Sequence, residues 1–291
     1  MTKKSKFTAK TAFTKSMLPH NRRELFFDVV KLHYIELICL GLALFVFALP
    51  LIANVLVTDF YTAQLSGAVP DAEIPERILA EIVIVGNTSA FIAIPLMTIL
   101  FVGVAGLLRV IRQYAWGEVV FLYRDFTIGI KQNVKQTALL GALVGVIIAG
   151  CTYLQNVADW NNDTSAYYFS SAAGAIALLF LAPIGCYMLV CISIYGNSFA
   201  QNFQQCIALY MKAPIKSILM MVLCWGVFLL LTIPNTVVRF GALICGILCS
   251  PFLLLGWYLF VYDQLDRYVN MEKHPSIVNK GIYVINKEEE L

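Results

Sequence analysis

Four carboxylates, Asp71, Glu73, Glu76 and Glu81, fall within one short stretch of the chain. Two acids within reach of each other are the minimum for general acid–base chemistry, one holding a proton while its neighbour stays charged. A solvated acidic loop accounts for the same residues and is the preferred reading. Cys245 and Cys249 stand at i, i+4, a spacing that puts both thiols on one helix face and is compatible with a metal or redox pair. The other cysteines are Cys39, Cys151, Cys186, Cys191, Cys206 and Cys224; no CxxC pair occurs, and His20, His33 and His274 lie outside the apolar runs. Cysteine as a small apolar packing residue is therefore preferred, and neither a disulfide framework, a metal site nor a cofactor is expected. Trp160 with Asn161 and Asn162 has the make-up of a sugar-stacking platform, although an interfacial aromatic anchor is the simpler role. HExxH, GxSxG and P-loop patterns are absent. The expectation is a protein that is not an enzyme and does not bind nucleic acid.

The elements that would position these residues are apolar. The chain has 291 residues, of which 59% are hydrophobic and only 13% charged, and its mean hydropathy is +0.75. An average soluble domain carries roughly 25% charged residues. Six runs exceed the length that separates a membrane span from a buried core helix: Tyr34–Val57, Thr88–Val110, Gln136–Val157, Ser171–Tyr195, Lys216–Asn235 and Val238–Tyr262. Backbone amides in a bilayer must be satisfied within the segment, so each run is expected to be helical. Met1–Lys31 is polar for too long to be a cleaved signal, and the first span ends in VLVTDF rather than in small residues. Residues 1–33 and 263–291 are accordingly read as cytoplasmic tails around a transmembrane domain at 34–262.

Orientation follows from the positive charges. Nineteen of the 21 Lys and Arg residues fall on one side of the six spans: Lys3, Lys4, Lys6, Lys10, Lys15, Arg22, Arg23 and Lys31 before the first, then Arg109, Arg112, Arg124, Lys131 and Lys135, then Lys212 and Lys216, and finally Arg267, Lys273, Lys280 and Lys287. Only Arg77 and Arg239 fall on the other side. By the positive-inside rule both termini are expected in the cytoplasm.

Between the second and third spans lies GEVVFLYRDFTIGIKQNVKQ, Gly117 to Gln136. At ~100° per residue, Val119, Leu122, Tyr123, Phe126, Ile130 and Val134 form one stripe, with Arg124, Lys131 and Lys135 opposite. Such a segment is long enough to lie in the interface and too charged to cross it. A second amphipathic stretch, NSFAQNFQQCIALYMKAPIK, follows the fourth span; an offset of 81 residues superposes Lys131 on Lys212 and Lys135 on Lys216. The fold expected is thus all-α and polytopic, with six transmembrane helices, two cytoplasmic interfacial helices and a degenerate span–helix–span repeat. Gly141 with Gly145, and Gly241 with Gly246, offer faces for close helix approach, within the chain or in a homo-oligomer.

These residues also carry a resemblance. Pro95 and Thr98, the pair Gly117–Glu118, Asp125–Phe126, and the run Lys131, Asn133, Lys135, Gln136 together resemble the YesL-like family of bacterial polytopic membrane proteins. The six-span plan matches as well, so the likeness covers most of the chain. It departs in the stretch after Thr98, which reads ILFVGVA, and in the length of the first external loop, Asp59 to Asn87. What the resemblance implies is context, since such proteins are commonly encoded beside carbohydrate uptake and degradation genes of Gram-positive bacteria. The function expected is an accessory or regulatory component of carbohydrate uptake in the bacterial cell membrane. Arg124, Lys131, Lys135, Lys212 and Lys216 would contact membrane lipids or carbohydrate ABC-type transporter subunits. The alternative is a carrier that moves a small solute or sugar by itself, using Pro50, Pro95, Pro183 and Pro251 to break helices.

Overall fold

The computed structural model describes residues 18–67, 76–161, 164–233 and 235–283, and every regular element among them is helical. The helices are α1 (Arg22–Gly67), α2 (Glu76–Trp116), α3 (Leu122–Asn161), α4 (Thr164–Ile176), α5 (Ala182–Ile194), α6 (Phe199–Lys212), α7 (Pro214–Trp225), α8 (Thr236–Leu265) and the short α9 (Met271–Lys273). A π-helical turn, Ala177–Leu181, joins α4 to α5, and a 3-10 stretch, Gly226–Thr232, prolongs α7. Five helical stretches are long and apolar enough to cross a membrane. A sixth arises if α6 and α7, bent by 103° at their junction, count as one broken span.

The helices outrun the apolar runs that define them. α1 starts at Arg22 and reaches Gly67, with its one non-helical residue at His33, where the polar tail was expected to end. The connection between α1 and α2 is correspondingly short, because residues 59–67 and 76–87 are helical. Glu76 and Glu81 lie on the first turns of α2, with Glu81 3.7 Å from Arg77. Asp71, Glu73, Asn162, Lys287 and the lysines before residue 18 lie outside the described residues.

Lipid removes the hydrophobic drive for one apolar helix to find another, so close packing decides who pairs with whom. α2 and α3 form the tightest pair. A Cβ on Gly145 would stand 2.8 Å from Ile94 Cα, and one on Gly141 2.7 Å from Phe101 Cβ. One on Gly129 would meet Arg109 Cβ at 2.7 Å and the Ala105 carbonyl at 2.9 Å. Of the second expected glycine pair, Gly246 lies under the Phe228 ring, whereas Gly241 has no neighbour within 4 Å. The core proper gathers Leu37, Leu40, Leu107, Leu108, Ile111, Leu254 and Leu255 around Trp257, Tyr258 and Tyr262.

The segment 117–136 is not a separate helix. Gly117 to Phe121 form a loop, and α3 then runs unbroken for 40 residues. The expected apolar stripe lies only partly inward: Leu122 and Phe126 pack against the core and Ile130 and Val134 are half-buried, but Val119 and Tyr123 are exposed, and the buried residues of this stretch are Asp125, Gly129 and Thr137. The second stretch does form its own helix, α6, opened by a capping box between Ser198 and Gln201. Pro214 follows the non-helical Ala213 and the chain turns there, so Lys212 and Lys216 straddle a bend whereas Lys131 and Lys135 sit on one continuous helix. Both stretches begin with a loop and a side-chain-capped helix start, and then diverge.

Candidate functional site

Most of the polar side chains with partners collect at the end of the bundle where α1 begins, α2 ends and α3 begins. α2 terminates in a Schellman motif: Gly117 takes φ +68, its amide donates to the Tyr114 carbonyl, and the Glu118 amide donates to that of Gln113 at 2.9 Å. The GE pair is thereby accounted for. Glycine supplies the left-handed backbone, and the Glu118 carboxylate receives Lys280 Nζ at 3.4 Å. Lys280 also stands 4.1 Å from the centre of the Trp116 ring.

Asp125 is buried at the start of α3. Its carboxylate accepts the Phe121 amide at 2.8 Å and lies 3.8 Å from Arg109 Nε, an ionic contact. Arg109 in turn donates through Nη1 to Gln132 Oε1. Phe126 presses its ring onto Gly106 of α2. One helical turn before Trp116, Arg112 donates to the Ser193 carbonyl at 2.6 Å, complementing the negative end of α5. Gln136 donates to the Asn197 carbonyl at 2.8 Å and accepts from Asn202 Nδ2 at 3.0 Å, tying α3 to the α5–α6 loop and to α6. Asn133 contributes its carbonyl to the Thr137 hydroxyl. Pro95 and Thr98 lie away from this network, within α2, where the Thr98 hydroxyl bonds back to the Ile94 carbonyl.

A second knot uses residues that the sequence did not single out. Arg22 donates to Asp266 Oδ2 at 2.6 Å and to the Lys280 carbonyl at 2.7 Å, with its guanidinium 4.4 Å from the centre of the Tyr262 ring. Asp266 further accepts from Asn270 Nδ2 and the Asn279 amide, and Tyr195 donates to Asn270 Oδ1. The stretch after α8 is therefore no free tail. Gly281, at φ +82, packs so close to the end of α2 that a Cβ there would lie 2.0 Å from the Ala115 carbonyl oxygen. The turn residues of HPSIVNKGIYV, interleaved with apolar Ile277 and Ile282, were the signal for this docking.

Arg124, Lys131, Lys135, Lys212 and Lys216 take no part in either knot. All five are exposed, none makes an ion pair among the described residues, and Arg124 rests over the Phe121 ring. At the opposite end Asp59 meets Arg239 at 2.8 Å, Asn54 donates to Ser89, and Asn156 donates to Asn87. Cys245 and Cys249 point outward from α8 as free thiols, and no group of three or more metal-ligating side chains occurs among the described residues. Comparison of the chain with protein-family models, with curated proteins and with solved structures finds no match.

Proposed function

We infer that the chain is a non-catalytic membrane component, an accessory or regulatory partner of a carbohydrate uptake system, docked through its basic end in the cytoplasm of a bacterial cell. One contrast carries the reading. Both buried carboxylates, Asp125 and Asp266, are matched to arginines at that end, while the five exposed basic side chains named above have no acidic partner among the described residues. Unmatched charge of one sign on a rigid frame suits lipid phosphate or an acidic protein face. α6 is the interfacial element of one unit and the first turns of α3 take that place in the other, the two related by an axis along the membrane normal. The resemblance to YesL-like proteins supplies the carbohydrate context.

The test is crosslinking in native membranes, affinity purification and mass spectrometry, on wild type and on Lys131→Glu with Lys135→Glu. Transporter permeases or sugar-binding subunits should accompany the wild type and be lost from the double variant at unchanged membrane insertion. Equal recovery from both would remove the platform. A second reading, an autonomous solute carrier, draws on the breaks in helical regularity at Ala177–Leu181 and Gly226–Thr232. Its demand is different: purified protein in liposomes must move a solute unaided.

A further inference from the structure

Beside the polar end, the start of α1, the outer face of α7 and the middle of α8 enclose a groove of about 470 Å³ whose lining is almost wholly apolar. Gly256 makes the room: a Cβ there would be 3.6 Å from the Phe26 ring and 3.8 Å from Cys224 Sγ, so any longer side chain would fill the floor. Phe27 and Leu223 form walls that stay exposed toward the side of the bundle, where lipid would lie. The groove is polar at one place only, its mouth, where Arg22 and Arg23 stand.

The two arginines differ. Arg22 is held by Asp266, the Lys280 carbonyl and the Tyr262 ring. Arg23 is exposed and has no ion pair among the described residues. α1 and α7 both enter the bundle from the basic end, so the residue one turn before each groove wall belongs to the mouth. On α1 that residue is Arg23, four before Phe27; on α7 it is Lys216, four before Met220. A free guanidinium thus lines the groove, and a free ammonium stands one helical turn beyond its α7 wall.

We propose that this groove binds an anionic phospholipid, its phosphate between Arg23 and Lys216 and one acyl chain along Phe27, Leu223 and Gly256. Charge complementarity selects the occupant. A soluble anion gains nothing from the apolar floor, and a zwitterionic lipid brings no net charge to two cations. The apolar floor accommodates an acyl chain by close fit, as helices in lipid accommodate each other, while the phosphate contacts supply headgroup selectivity. The proposal does not depend on a protein docking at the basic end.

Native mass spectrometry and thermal unfolding of the purified full chain, titrated with phosphatidylglycerol or phosphatidylcholine, test it. Phosphatidylglycerol should bind at one copy per chain and raise Tm, at least ten-fold tighter than phosphatidylcholine. Arg23→Gln with Lys216→Gln should abolish that preference, and Gly256→Leu should weaken both lipids. Arg267→Gln with Lys273→Gln, two exposed basic residues outside the groove at the same total charge as the first pair, should leave it intact and so separates a built site from diffuse surface charge. Should Gly256→Leu fail to fold, the two charge pairs still decide. Equal binding of both lipids, equal loss in both charge pairs, or displacement of the lipid by soluble glycerol phosphate at equal concentration would each overturn the assignment.

Discussion

Asp125 shows how a pair of long apolar helices uses a single charge. It reaches back to the Phe121 amide and faces Arg109 across the α2–α3 contact, both within a site from which water is largely excluded. Removing one partner of a buried pair strands the other. Asp125→Ala is therefore expected to cost about 2–4 kcal/mol, read as a lower midpoint of thermal unfolding in detergent. Asp125→Asn, which keeps an acceptor for the Phe121 amide, should cost less. Arg109→Ala should cost at least as much as Asp125→Ala, because it strands a carboxylate more deeply buried than the guanidinium.

At the scale of elements, glycine placement rather than apolar periodicity determines how α2 and α3 meet. Gly145 faces the backbone of Ile94 at van der Waals contact or closer, whereas Gly150, further along the same helix, has nothing within 4 Å. Gly145→Leu should broaden or aggregate the protein in size-exclusion chromatography, and Gly150→Leu should leave the profile unchanged; similar behaviour of the two would contradict this packing. The π turn before α5 has an equally local cause. Pro183 lacks the amide that would meet the Leu179 carbonyl, and the Tyr210 hydroxyl of α6 donates to that carbonyl at 2.7 Å. The helix break and the neighbouring helix are thus a matched set.

For the molecule as a whole, the basic end is closed by contacts between the two ends of the chain. Arg22 near one terminus holds Asp266 and Lys280 near the other. Arg22→Ala should release the stretch after α8 and raise its cleavage rate by added protease several-fold, without expelling the bundle from the membrane. Orientation is tested separately. With a membrane-impermeant maleimide on intact cells, Arg77→Cys should label and Lys135→Cys should label only after permeabilisation. The reverse pattern would invert the bundle and place the exposed lysines outside the cell.

Sequence alone determined that this chain is helical and apolar enough to span a bilayer repeatedly, because run length and the need to satisfy backbone amides leave no other solution. It also marked Gly117, Glu118, Asp125, Phe126 and Gln136, and Gly141 with Gly145 as a close-approach face. Only the tertiary structure decided what those residues do. Asp125 is a buried ion-pair partner, Gln136 is a tether to α6, and the face of α3 that packs is centred on Asp125, Gly129 and Thr137, with Leu122 and Phe126 of the apolar stripe beside them. The physical reason is the solvent. In water an apolar stripe marks the inner face of a helix, but in lipid apolar side chains are equally at home outside, and the inner face is chosen by close fit and by polar partners brought from distant parts of the chain. Arg22, Asp266 and Gly281 are such partners, 244 residues apart in the first pair, and no local spacing could have joined them.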